Sequence, residues 1–580
     1  MRNASLTRQR PDAAFVVRII GIVLFAYFFF GFMLLPCLNT LTSIFTTKNA
    51  AGETDPWAVI RFFFAGNMSR YVWNSLKLAL CLVVTVNVVG VSIVLLTEYF
   101  DIKGANILRL GYMTTMIYSG VALVTGYLFL YDPNGILTTA LANAFPDFNR
   151  SWFSGFNAVL FTMTFACTSN HALFLRNAIR GIDYNTVEAA RNMGAKPFKV
   201  LWKVVFPTLV PTMFSLTVMT FITGLCAMSA PTLLGYDSIN PEIVRLAGSS
   251  VADESFPQAR AALLSIILAM FTIVLLTVLS AYERKGHYLS VSKTKAKLVK
   301  QKITNPDLNV LAHVYAYVLF VIYVLPVVLI VLFSFTDSKS IGTRTLTLSS
   351  FTLENYKYLL QSLSNYRPFV VSIVYSALAA VIVGVIVVVA CRYIQKHKKA
   401  RSASVLEYSL MIPWLLPTTM IALGLMMAFN VRRPYMFNQV LTGTMVILLI
   451  GYVIIKLPFT MRMTKAAFFS LDDALEDASK NLGAGEMYTF RRVIFPVILP
   501  TVMAIAALNF NALISDYDMS AFLYHPLNPT LGVQIKSLTN DMNNPNGMAL
   551  TFVYAVLMMI ISAVVLYLVY GRGGRDNMKE

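Results

Sequence analysis

Glu188-Ala189-Ala190-Arg191-Asn192-Met193-Gly194 is followed by Phe206-Pro207 and Pro211, and Asp477-Ala478-Ser479-Lys480-Asn481-Leu482-Gly483 is followed by Phe495-Pro496 and Pro500. Each residue of the second stretch stands 289 positions after its counterpart in the first, and Ile182-Asp183 and Leu471-Asp472 keep the same spacing. The residue types have a common physical logic. Small side chains at Ala189, Ala190, Ala478 and Ser479 let two helices approach closely. Gly194 and Gly483 tolerate the positive φ that ends a helix. Pro207 and Pro496 suit the first turn of a following helix, where the missing N–H costs little. Glu188 and Asp477 can cap that turn or pair with nearby bases. One copy would read as a tight hairpin; two copies in register are an internal repeat on the scale of the whole chain.

Working outward, the composition excludes a water-soluble domain. Hydrophobic residues make up 57% of the 580 residues and charged residues only 13%, with a mean hydropathy of +0.65. A bilayer can solvate that much apolar surface, provided every backbone polar group is satisfied within a helix or a closed barrel. Apolar runs of spanning length predict about twelve helices, near 16–38, 71–96, 107–131, 153–175, 205–229 and 259–281, then 311–334, 368–392, 406–429, 439–461, 494–515 and 548–570. The first run follows Arg8, Arg10 and Arg18 and exceeds the about 7–15 residues of a signal-peptide core, so it reads as a retained helix. Basic residues gather in the connections after spans four, six and eight, and acids such as Asp237, Glu242, Asp337, Asp516 and Asp518 gather on the other side. That asymmetry puts both termini in the cytoplasm, and it accounts for the net charge of +19 without a nucleic-acid partner. The basic stretch 282–310 divides the chain into a first half, 1–281, and a second half, 311–580, in the same orientation. The five cysteines (Cys37, Cys81, Cys167, Cys226, Cys391) lie in or beside apolar runs without metal-ligand spacing. They predict neither a disulfide framework nor a metal site, and no nucleophile–base pair marks a catalytic centre.

The paired stretches, lying in loops near 177–205 and 463–494, resemble the EAA loop of ABC importer permeases of the type I fold, with Asp477 and Ser479 as mild departures. The resemblance covers roughly 70–281 and 366–570. It implies an all-α membrane protein of two pseudo-symmetric six-helix halves in the bacterial inner membrane. It also implies coupling to an ATPase through Glu188, Ala189, Ala190, Gly194, Asp477, Ala478, Ser479 and Gly483. The chain contains no G-x-x-x-x-G-K-[ST] phosphate loop. ATP and Mg²⁺ would therefore be bound by a separate partner, in two copies for two docking loops. The resemblance further implies an extracellular or periplasmic substrate-binding protein, and no cofactor held by this chain.

The cargo is the less legible part. The segment Ser515-Asp516-Tyr517-Asp518 to Tyr524, with Thr530-Leu531, is similar to one in fused permeases of the ferric-iron group. Asp516 and Asp518 are thus candidates for the translocation pathway, since oxygen ligands suit Fe³⁺. The alternative is that Asp516 caps a helix. Permeases for 2-aminoethylphosphonate, polyamines, thiamine and sugar phosphates share the layout. An ion-coupled secondary transporter is the rival class; it would place ionisable groups near the membrane midplane. Lys456 reads either as such a group or, six residues from Arg462, as a side chain snorkelling to the cytoplasmic surface. His171 reads as polar packing, Glu98, Asp101 and Glu407 as interfacial, and Pro413 and Pro417 as a kink in span nine.

Overall fold

The computed structural model describes residues 21–568, apart from 22, 47–54, 56, 67, 117–119, 181, 183, 196, 250–255, 286–298, 304, 398–399, 437, 470 and 541–544. The N-terminal arginines, Asp183 and most of the basic stretch between the halves fall outside the described residues. Within them the chain is helical, with isolated β-bridges and no strand. This is the all-helical solution that lipid demands of a non-barrel chain.

The first half runs α1 (Val23–Phe45), α2 (Met68–Tyr99), α3 (Ala105–Tyr112), α4 (Gly120–Tyr131), α5 (Gly155–Arg180) and α6 (Tyr184–Asn192). It continues with α7 (Phe206–Leu225), α8 (Ser229–Leu233), α9 (Ile239–Gly248) and α10 (Pro257–Lys285). The second half repeats the order: α11 (Pro306–Ser334), α12 (Leu363–Lys396), α13 (Arg401–Met411), α14 (Thr418–Phe429) and α15 (Met445–Phe469). Then come α16 (Asp473–Asn481), α17 (Phe495–Leu513), α18 (Ser520–Leu523), α19 (Leu531–Asn540) and α20 (Pro545–Leu566).

Among the described residues ten helices are long and apolar enough to cross a membrane, and an eleventh crossing is the pair Arg401–Leu415 and Thr418–Phe429, bent by 101°. The straight third and ninth spans expected at 107–131 and 406–429 are both broken. Pro417 stands at the second break and lacks the N–H that would continue the ladder. The first half breaks at the matching place, through a 3₁₀ turn at Thr114–Met116, with no proline in its 113–119 segment. Proline therefore reinforces the break without being its sole cause.

The halves exchange their opening helices. α1 packs against α14 of the second half, and α11 packs against α3 and α4 of the first. Both crossings rest on a glycine against a proline-bearing face. A Cβ on Gly424 would meet the Pro36 carbonyl at 2.9 Å and the Thr40 hydroxyl at 3.0 Å, and one on Gly126 would meet Ile330 at 2.8 Å and Pro326 at 3.3 Å. Phe32 meets Phe429 with tilted rings and Phe129 meets Phe333 edge-on, with ring centroids 5.2 and 4.6 Å apart. A buried bidentate pair, Arg344 to Asp132, joins the halves again beside Phe129.

Candidate coupling surface and pathway

The two repeated stretches form matching structures. α6 ends at Gly194 with φ +81° and α16 at Gly483 with φ +79°. In both, the glycine N–H donates to a carbonyl three residues back at 2.8 Å, and the following alanine N–H donates five residues back, Ala195 to Ala190 and Ala484 to Ser479, at 3.1 Å. These bonds satisfy the carbonyls that a helix end leaves open. Residue 190 and residue 479 face inward and are buried, and the Ser479 hydroxyl bonds that of Thr489 at 2.9 Å. Glu188, Ala189, Asp477 and Ala478 are exposed. Asp477 is not the cap of its helix; Asp472 is, accepting from the Ala474 N–H at 2.9 Å.

Past each glycine the chain enters a π-helical turn, Leu201–Val205 and Phe490–Ile494, again 289 positions apart. Pro207 and Pro496 follow at once. The wider turn lets the Phe206 and Phe495 N–H reach five residues back, to Leu201 and Phe490, just before each proline breaks the pattern. Pro207 and Pro496 stand second in α7 and α17, but these helices run on from the π-turns, so the prolines lie inside helices that begin at Phe198 and Glu486 rather than at the free helix start expected for them.

Sequence reading missed a pair of exposed apolar side chains in each loop. Met193 and Leu482 are 82% and 88% exposed, and Phe198 and Met487, also 289 positions apart, are 71% and 76% exposed. Each loop thus presents two large apolar side chains to solvent, at the same two positions of the repeat. The signal was available, since the apolar identities recur at the motif's own spacing. Beneath the loops, ion pairs tie the entering chain to the bundle. Arg176 and Lys465, also in register, bond Glu98 and Glu407. Glu98, at the end of α2, is buried among Arg176, Arg180 and Arg109. In the second half Arg392 grips Glu476 bidentately at 2.9 and 3.1 Å, and this holds the Glu476 carboxyl down at about 2. Its first-half counterpart is the fully buried Val187.

The candidate pathway residues lie after α17. Asp516 does cap a helix turn, accepting from the Met519 and Ser520 N–H groups at 3.2 and 3.0 Å at the start of α18. Tyr452 of α15 lies close to Asp516. Lys456, on the same helix, lies within electrostatic reach of both Asp516 and Asp518, so it belongs with these acids rather than snorkelling to the cytoplasmic surface. Arg462 stands over the Trp414 ring. α18, which Asp516 caps, packs against α9 of the first half, and this places the cluster beside the other half. One further group was not anticipated: the Asn511 carboxamide on α17 is buried with neither polar atom hydrogen-bonded. His171 packs on Gly90 and its Nε2 lies 3.2 Å from the Asn87 carboxamide oxygen, a polar packing role as expected.

A repeated helix pair at one end of a two-half membrane bundle, with a polar cluster between the halves, defines a transport permease. The chain belongs to the family described as binding-protein-dependent transport system inner membrane component, whose model matches residues 106–284 and 380–571. It is therefore a fused type I ABC importer permease and a multi-pass membrane protein. It is 34% identical to the "Probable ABC transporter permease protein y4fN" of Sinorhizobium fredii, over 94% of this chain and 95% of that protein. It is 23% identical to the ferric transport system permease protein FbpB of Actinobacillus pleuropneumoniae, over 97% and 79%. It is 27% identical to the "Putative 2-aminoethylphosphonate transport system permease protein PhnV" of Salmonella typhimurium, over 26% and 55%. These relatives are transport components rather than enzymes.

Proposed function

We propose that this chain forms the translocation pathway of an ATP-driven importer in a bacterial inner membrane, with both termini cytoplasmic. On this reading its two loops dock two copies of an ABC ATPase. The single observation that carries the reading is the pair of glycine-ended helices, α6 and α16, matched residue for residue and each bearing two exposed apolar side chains. ATP and Mg²⁺ belong to the ATPase partner, and a binding protein delivers cargo from the far side. ATP-driven closure of the ATPases draws the loops together. Because α1 and α11 are each packed on the opposite half, motion at the loops rocks the halves as two interlocked bodies, opening the pathway to one side at a time.

We propose ferric iron as the cargo. The oxygen donors Asp516 and Asp518 support it, as does the full-length likeness to a ferric permease; Lys456 offsets one of the two negative charges until cargo arrives. The same role with 2-aminoethylphosphonate is the alternative, supported by the shorter likeness. Uptake of radiolabelled ferric iron by cells carrying the permease, its ATPase and its binding protein tests this. Asp518→Asn should cut iron uptake by about tenfold or more, a change of roughly 1.4 kcal/mol, while ATPase co-purification stays intact. Unchanged iron uptake, or uptake of the phosphonate instead, contradicts it.

A further inference from the structure

We infer that a groove of about 750 Å³ between α11 and the first half is a binding site for one anionic phospholipid, its headgroup on Lys103 and an acyl chain along α11. α3 and α4 meet α11 as two short pieces rather than one straight helix. Lys103 bounds the groove at one end, and Tyr131 and Leu137 at the other.

Its floor is a single stripe of α11: Val310, Val314, Val318 and Val321, each more than half exposed. Positions spaced by three and four lie on one helix face. From Asn309 to Leu325 the stripe spans about 24 Å at 1.5 Å per residue. That exceeds one leaflet's share of the roughly 30 Å hydrocarbon core, so it accommodates an acyl chain along its length. The chemistry changes at the Lys103 end. The Lys103 N–H donates to His313 Nε2 at 3.1 Å, and the Tyr317 hydroxyl donates to the Lys103 carbonyl at 2.9 Å. His313 Nδ1 is bonded to the Asn309 carbonyl at 2.8 Å.

The backbone of this turn is thus satisfied by α11, and the Lys103 ammonium makes no ion pair among the described residues. Lys300 and Lys302 flank Gln301, whose backbone bonds Tyr99 and Asp101 just before Lys103. Three lysines therefore stand on the segments at this mouth against the acids Asp101 and Asp307. An apolar trough ending in an unpaired ammonium and surplus positive charge matches an anionic headgroup with its chain. A zwitterionic lipid would gain the trough but not the charge.

Native mass spectrometry of the delipidated full chain tests this, with phosphatidylglycerol and phosphatidylcholine offered in equal amounts. The wild-type chain should retain one phosphatidylglycerol, favoured about fivefold for each basic residue engaged. Lys103→Gln should reduce that preference by about fivefold without lowering the unfolding temperature. Val314→Trp and Val318→Trp, which fill the trough from an exposed position, should each abolish retention of both lipids. Equal retention of the two lipids by the wild type, an unchanged preference in Lys103→Gln, or undiminished phosphatidylglycerol in both tryptophan variants would overturn the assignment.

Discussion

The coupling surface and the inner pathway segment treat the internal repeat in opposite ways. From residue 182 to 211 and from 471 to 500 the halves agree in glycine, proline, π-helical turn and exposed apolar side chains. Past the ends of α7 and α17 they agree only in packing residues. Met228-Ser229-Ala230 and Met519-Ser520-Ala521 stand 291 positions apart, but Leu225 and Ala227 occupy the places of Asp516 and Asp518. Cys167 and Met163 likewise occupy the places of Lys456 and Tyr452, at the loops' own spacing of 289. A surface that grips the same kind of partner twice must be built twice. A polar cluster that meets one cargo at the interface between halves needs building once.

Breaking the symmetric part should have the largest effect. At Gly194 and Gly483 the positive φ costs a side-chain-bearing residue about 1–2 kcal/mol, and bulk there also disturbs the docking face. Gly194→Val and Gly483→Val should each reduce ATPase co-purification by at least about tenfold. A large loss at one glycine and none at the other would break the claimed equivalence.

The exchanged opening helices sharpen the comparison further. Gly424→Ala drives a methyl into the Pro36 backbone, so it should destabilise the chain by about 1–3 kcal/mol. Gly126→Ala meets mainly the terminal methyl of Ile330, which can rotate away, and should cost less. Thermal unfolding of the two purified variants checks the order.

The smallest effect is expected where the loops are anchored differently. Glu476 is held at about 2 by Arg392, below its ordinary 4.5. A depressed carboxyl stabilises the folded state above its unfolded value, and that contribution is lost as pH falls from about 5 toward 2. With solvent screening it amounts to about 1 kcal/mol. Arg392→Ala should remove much of this acid sensitivity, read as a smaller drop in unfolding temperature between pH 7 and pH 3. The first half, with Val187 at the equivalent place, has no such term.

The sequence made the helical membrane class, the two-half plan and the coupling loops legible because lipid imposes long apolar runs and because a repeat exposes its own register. The broken third spans were partly hidden: 107–131 carries enough apolar residues to pass as one helix, and nothing in it but tertiary packing forces the break. The exchange of α1 and α11 between halves was invisible, since the glycine–proline contacts at Gly126 and Gly424 pair residues about 200 and 390 positions apart. Lys456 stayed open between two readings because its charged neighbour in sequence is Arg462, whereas its charged neighbours in space, Asp516 and Asp518, come from a loop sixty positions later.

Cysteines placed at Met193 and Leu482, in a chain freed of its five native cysteines, give the most direct measurement. Cross-linking to the co-expressed ATPase should capture one ATPase at each position, two per chain, while a cysteine at Leu348 captures none. If both loop cysteines instead react with a membrane-impermeant thiol reagent added outside intact cells, or cross-link no ATPase, the coupling account is contradicted.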